Sequence, residues 1–279
     1  MRKNKISVLT VIALIIVVLS LTLALVACNK GETENSTTTE PIEYTSEGLV
    51  YKYVSSSDSY VVIGSDGSKE NVLIPKYYES KIVTGIEKEA FRDNVKLKNV
   101  KITYGVKTIG KSAFQDCVNL KSVELAQTIN DIGEYAFYGC KALTEIEIPM
   151  WVSEIKFATF YNCASLNKIT FNNGLKIIRG DAFSECTSLT NVTLPDSLTT
   201  LSYEVFNYCE NLTQIYIPSS VTTIQEYVFY NCLKLTRIDF GGTQSKWNSI
   251  AKESDWDLGT VKIGIYCSDG TIWNTRMSW

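Results

Sequence analysis

The 279-residue sequence predicts an all-β-dominated solenoid in which seven copies of a 23-residue unit stack between two end caps. Three observations predict it. Apolar residues recur at six fixed places in every unit, without gap or insertion, from residue 83 to residue 240. The latter half of each unit alternates apolar and polar residues, the pattern of a half-buried strand. A column of cysteines keeps the same period. One such unit cannot bury its apolar side alone, so neighbours must lie against each other and share a continuous core.

The chain opens with Arg2, Lys3 and Lys5, followed by an apolar run from Ser7 to Ala24 broken only by Ser and Thr. A short basic start before an apolar stretch is a secretory signal. A plain transmembrane anchor is the alternative, since the run approaches the length that spans a bilayer. Either places the body outside the cytoplasm. Leu25-Val26-Ala27-Cys28 resembles a bacterial lipobox. That resemblance implies cleavage after a lipoprotein signal peptide of residues 1–27 and a diacylglyceryl group on Cys28, anchoring the chain to the membrane. Residues 28–46 are polar and rich in Thr and Glu, too poor in apolar surface to fold. They read as a flexible tether with a reach on the order of 20–25 Å.

The repeats follow. Phe stands at Phe91, Phe114, Phe137, Phe160, Phe183, Phe206 and Phe229, and Leu at Leu97, Leu120, Leu143, Leu166, Leu189, Leu212 and Leu235. Three residues beyond each Leu lies a β-branched residue, from Val100 to Ile238, and two further on another apolar one, from Ile102 to Phe240. Each unit begins with an apolar pair, from Val83 and Ile86 to Val221 and Ile224. Leu120 to Leu125 reads as a strand. Pro149, Pro195 and Pro218 close three such strands, where a ladder donor can be lost. Gly133 to Cys140 is short and lacks β-branched residues, and reads as one helical or 3-10 turn aiming Phe137 inward. Seven units at the inter-strand spacing make a stack of about 30–35 Å.

The unit from Ile132 to Pro149, I-G-x-x-A-F-x-x-C-x-x-L-x-x-V-x-L-P in outline, resembles the leucine-rich repeat of BspA-like bacterial surface proteins. The likeness covers residues 83–240. On the flanks, Gly48-Leu49-Val50-Tyr51 resembles that family's N-terminal hairpin, making 47–82 an N-terminal hairpin cap. Trp247-Asn248-Ser249-Ile250 and Cys267-Ser268-Asp269-Gly270 resemble its C-terminal cap, making 241–279 the other end. The resemblance implies a leucine-rich-repeat solenoid, surface exposure, adhesive binding and no enzymatic activity. One departure is plain. The places where ordinary leucine-rich repeats carry Asn hold Gly105, Thr128, Trp151, Gly174, Ser197 and Ser220, so the usual asparagine ladder is missing.

Cys117, Cys140, Cys163, Cys186, Cys209 and Cys232 recur every 23 residues, with Asn94 in the first repeat. Stacked side chains about 4.8 Å apart and parallel do not meet disulfide geometry. A linear column without His or C-x-x-C does not suit a metal. A buried column of free thiols is the expectation, and no cofactor is expected. The chain contains no histidine, which removes the Ser-His-Asp and Cys-His arrangements. Its net charge of −3 gives no basic patch for nucleic acid.

The expected function is non-covalent binding of an extracellular protein or glycan by a surface lipoprotein, without catalysis. A structural envelope lipoprotein and a glycan-capture module are the alternatives. The outward strand positions run from Lys101, Glu124 and Glu147 through Thr170 and Thr193 to Tyr216 and Asp239, polar and mixed in sign. Tyr138, Tyr161 and Tyr230 follow the buried Phe, and with Tyr216 and Trp151 they are the candidate binding residues, since Tyr and Trp offer large contact area. Rings that merely cover the core are the plainer account of the same residues. Trp273 and Trp279 stand in the cap under the same two readings.

Overall fold

The computed structural model describes residues 41–260 and 262–274. The expected signal peptide, Cys28, the tether through residue 40, and Trp279 lie outside the described residues. In chain order the elements are β1 (Leu49–Val54), β2 (Ser59–Ser65), β3 (Asn71–Ile74), β4 (Tyr77–Tyr78), β5 (Lys81–Ile86), β6 (Asn99–Ile102), β7 (Thr108–Ile109), β8 (Ser122–Glu124), β9 (Asp131–Ile132), β10 (Glu145–Glu147) and β11 (Glu154–Ile155). They continue with β12 (Lys168–Thr170), β13 (Ile177–Ile178), β14 (Asn191–Thr193), β15 (Thr200–Leu201), β16 (Gln214–Ile217), β17 (Thr223–Ile224) and β18 (Arg237–Phe240). The C-terminal end adds α1 (Gln244–Asn248), β19 (Ala251–Lys252), β20 (Ile263–Cys267) and β21 (Gly270–Asn274).

Each unit makes one coil of a β-solenoid: a front strand, a bend, a two-residue back strand, and turns leading to the next front strand. Like strands pair parallel and one period apart. Ile177 pairs with Thr200, and Thr200 with Thr223, along the back; Ile215 pairs with Ile238 along the front. The register is dictated by burial, because a slip of one residue would turn every Val and Ile of a strand outward. The stack extends past the regular units at both ends. Val72 of β3 pairs with Val100 of β6, and Ile238 of β18 with Ile265 of β20. The antiparallel hairpins β1–β2 and β20–β21 finish the two ladders.

The seven Phe rings form one column at the centre. Successive centroids lie 5.0, 5.2, 5.4, 5.3, 5.7 and 5.9 Å apart with ring planes within 10° of parallel. Trp256 ends the column edge-on against Phe229 at 5.9 Å, and Trp247 packs between Trp256 and Phe240. The Phe and Leu columns are at most 2% exposed. The six column thiols are buried and free, as their spacing predicts. They also do more than fill space. Each Sγ–H donates to the carbonyl of the Phe one coil earlier, from Cys117 to Phe91 at 3.0 Å to Cys232 to Phe206 at 3.1 Å. Burial pushes these thiols up, Cys117 to about 12.

The segment expected to be a helical or 3-10 turn is neither. Glu89, Ser112, Tyr135, Ala158, Asp181, Glu204 and Tyr227, at one place in each unit, have φ between 51° and 60°. So do Asp93, Asp116, Asn162, Glu185, Tyr208 and Asn231 four residues later. A left-handed residue at every fourth position cannot continue a right-handed helix. Alternation of handedness lets successive N–H groups point different ways. Ser112, Phe114 and Asp116 donate to Glu134, Ala136 and Tyr138 of the next coil, at 2.9, 2.8 and 2.7 Å. Ala113, Gln115 and Cys117 close tight local turns onto Gly110, Ser112 and Phe114. From Ser112 to Cys117 every N–H is used, which offsets the left-handed cost.

Residues 42–46, read in the sequence as the end of the tether, are instead bound to the body. Thr45 bridges Val72 in parallel; its N–H donates to Asn71 at 3.2 Å and its carbonyl accepts from Leu73 at 2.8 Å. The unpaired edge of β3 supplies those partners.

Candidate functional site

The front strand face holds a broad groove flanked by polar groups. Its outward side chains are mostly neutralised among themselves. Lys101 meets Glu124 at 2.6 Å, Lys168 meets Glu145 at 3.5 Å, and Arg237 grips Asp239 through two nitrogens while lying over the Tyr266 ring at 4.2 Å. Asn99 donates to Asn71 at 2.8 Å and accepts from Ser122 at 2.7 Å, a short polar ladder. Such exposed pairs contribute about 0–1 kcal/mol each. They hold side chains in place more than they hold the fold together.

The front ladder is interrupted twice, between β8 and β10 and between β12 and β14. The core columns change at the same places. Leu125, Ile169 and Phe171 are only partly buried, whereas the other members of their columns are buried. Two grooves lie there. One of 580 Å³ is bordered by Ile42, Tyr44, Glu124, Leu125, Glu145, Glu147, Lys168 and Thr170. The other, of 390 Å³, is bordered by Phe171, Asn173, Thr193, Leu194, Asp196 and Tyr216. Tyr216 bonds Asp196 at 3.3 Å, and burial followed by the Asp196 charge raises its phenol.

The five aromatic candidates are not brought together. Tyr216 alone borders a front groove. Trp151 is 64% exposed on the bend after Pro149, beside the exposed Met150. Tyr138 and Tyr161 are stacked on the turn side at 4.9 Å with planes 6° apart, so each gives one ring face to the other. The Tyr161 hydroxyl donates to Glu185. Ser184 and Asn207 interrupt that column before Tyr230, which meets Tyr208 and Tyr227 edge-on and borders a 360 Å³ hollow with Glu204, Asn207 and Leu258. Asp181 and Glu204 stand at matching places in adjacent coils. Burial first, then the Glu204 charge, pushes the Asp181 carboxyl up to about 6. Among the described residues no group of three or more His, Cys, Asp or Glu could hold a metal ion.

Sequence reasoning passed over Ile42 and Tyr44, which sit in a polar segment. Their spacing of two was the available signal, since alternate residues of an extended chain share a face.

Built of short strands and turns with almost no helix among the described residues, and coiled in register around one column of rings, the fold defines a leucine-rich-repeat solenoid. The sequence matches the model of the BspA type leucine rich repeat region, six copies, over residues 70–173 and 130–254, more than half of the chain. The chain belongs to that family. It is similar in structure to the T. pallidum leucine rich repeat protein TpLRR, with TM-score 0.52 and 24% identity over 71% of this chain and 86% of that one. It is also similar to a leucine-rich repeat protein from Eubacterium ventriosum, with TM-score 0.52 and 25% identity over 68% of this chain and 59% of that one. Among curated proteins none matches the sequence.

Proposed function

We propose that this chain is an exported, lipid-anchored binding protein that recognises an extracellular protein or glycan through its front strand face, without catalysing a reaction. The observation that carries the reading is the interrupted front ladder. It leaves apolar Leu125 and Phe171 partly uncovered at the bottom of grooves rimmed by Glu124, Glu147, Lys168, Thr193 and Tyr216. An apolar floor with a polar rim suits recognition. The basic start, apolar run and lipobox-like Leu25 to Cys28 support export and anchoring. Two features support binding over catalysis: the absence of histidine from the sequence, and a groove whose acidic groups are largely paired with lysines.

The test is a screen of the purified chain against immobilised extracellular matrix proteins, envelope fractions and glycans. The proposal expects a retained ligand whose capture falls at least about ten-fold with Glu147→Lys/Thr170→Lys, two exposed changes on the groove rim. Retention unaffected by that variant, but lost with Tyr138→Ala/Tyr161→Ala, would move the site to the turn side and reject the front face. Capture confined to envelope fractions would support the scaffolding alternative instead. Labelling by radioactive fatty acid, abolished by Cys28→Ser, checks the anchor.

A further inference from the structure

We infer that the larger front groove is a site for an extended peptide carrying an aliphatic residue and, two positions later, an aromatic one, and that Ile42-Glu43-Tyr44 is its built-in occupant. This deepens the proposed function and rests on it, because it names the class of partner that the front face takes.

The resident segment does not merely extend the sheet edge. Thr45 is held by the β3 backbone, but Tyr44 reaches inward over the face. Its hydroxyl donates to Glu124 of β8 at 3.4 Å, and Lys101 of β6 lies 5.9 Å from its ring. Ile42 borders the same groove as Glu145, Glu147 and Thr170 of β10 and β12. The segment therefore runs over strands rather than alongside one. Tyr44 is half-buried and Ile42, though exposed, borders the groove, whereas Glu43 between them is exposed and lies outside its lining, as alternate residues sharing a face would give.

The fit is partial, and that is what makes the segment a displaceable occupant. Ile42 remains 49% exposed, and 580 Å³ of groove stays open beside it. The floor includes Leu125, one of three core-column residues that the interrupted ladder leaves partly uncovered. A peptide with a larger aliphatic or aromatic side chain in the Ile42 place would cover more of this surface. It would reuse Glu124 and Ser122, whose oxygens face the Tyr44 hydroxyl. A resident held by a short connection competes at high effective concentration, so an outside peptide sees only the fraction of molecules whose groove is vacant.

The experiment uses the full chain and a fluorescein-labelled peptide with the sequence of residues 40–47 (EPIEYTSE), read by fluorescence anisotropy. In the vacated variant Ile42→Gly/Tyr44→Gly the peptide should bind at least about ten-fold more tightly than in the wild type. A scrambled peptide, or one with Asp in place of its Ile, should not bind. A folded variant that ignores the peptide, or binds the scrambled one equally, overturns the inference. Should the variant fail to fold, hydrogen exchange in the wild type decides. Millimolar peptide should speed exchange of the Thr45 amide at least about two-fold by displacing the resident from Asn71; unchanged exchange overturns it. A positive matrix or glycan screen with no peptide binding would reject the peptide groove while leaving surface recognition standing.

Discussion

Phe160→Ala tests the stacking that organises the protein. Phe160 is 0% exposed and lies between Phe137 at 5.4 Å and Phe183 at 5.3 Å, both nearly parallel to it. Truncating a buried Phe costs about 3–5 kcal/mol in transfer and cavity terms. Each aromatic neighbour lost adds about 0.5–1.5 kcal/mol. The sum for a ring with two neighbours is about 4–8 kcal/mol. Phe91 has one stacked neighbour, Phe114 at 5.0 Å, so Phe91→Ala should cost less by about one aromatic pair. Guanidinium unfolding followed by far-ultraviolet circular dichroism and by tryptophan fluorescence measures both variants. In a Trp151→Phe background every remaining tryptophan lies beyond residue 246, so fluorescence reports the C-terminal end through Trp247 and Trp256, whereas circular dichroism averages the whole stack. In a nearest-neighbour array the central change should separate the two signals and the terminal one should not. A Phe160→Ala cost below about 1.5 kcal/mol, or equal costs at the two sites, would refute continuous stacking as the source of stability.

Three further outcomes follow from the same geometry. In a Cys28→Ser chain without denaturant, a thiol reagent should modify only Cys267, the half-buried thiol, and six more groups should react after unfolding; mass spectrometry counts them. Asp181→Asn should flatten the pH dependence of stability. Burial and the Glu204 charge push the folded carboxyl up to about 6 from its ordinary 3.8, so the native state holds the extra proton and stability falls as pH rises between those values. The variant should therefore melt higher than wild type above pH 6, and a lower melting temperature there would count against it. Ser112→Val places a β-branched residue at φ 54° and should cost about 1–2 kcal/mol, whereas Ser112→Gly should not; equal melting of the two would contradict the left-handed turn.

The inner columns were readable because burial acts on one side chain at a time: each Phe, Leu and Cys place demands a fitting residue, and the demand repeats. The turn backbone was readable at one of its two left-handed places. The first is filled by Glu, Ser, Tyr, Ala, Asp, Glu and Tyr in turn, which share no chemistry and include no glycine. There the conformation is imposed by hydrogen bonds to the next coil, a demand on the main chain that leaves no mark on residue type. The second, four residues later, holds Asp93, Asp116, Gly139, Asn162 and Asn231, the residue types that tolerate a left-handed backbone, and that was the available signal. The role of the thiols as donors to Phe carbonyls was hidden for a related reason, since a small apolar residue would satisfy the same pattern. The grooves were half readable. Leu125 and Phe171 are ordinary members of their column by type, but they precede Ala126 and Asn172, whereas the buried Ile148, Leu194 and Ile217 each precede proline. The resident segment escaped because two apolar residues among polar ones fall below any compositional threshold for folding.

The hydrogen bonds between coils have a direction. Those that open each strand run backward, as from Lys121 to Lys98 and from Gly133 to Ile109, while those of the turns run forward, as from Phe114 to Ala136. A coil folding in chain order thus finds its strand partners already made but must wait for its successor before its turns are satisfied. The last regular coil would wait indefinitely were it not for Asp255, Trp256 and Leu258, whose carbonyls accept from Tyr227, Phe229 and Asn231. Trimming the N-terminus would bare strand N–H donors and turn carbonyls, whereas trimming the C-terminus would bare strand carbonyls and leave the donors of the left-handed turns without acceptors. Duplicating whole 23-residue units in the interior would disturb neither end, which leaves the length of this array free to change while its two termini stay fixed.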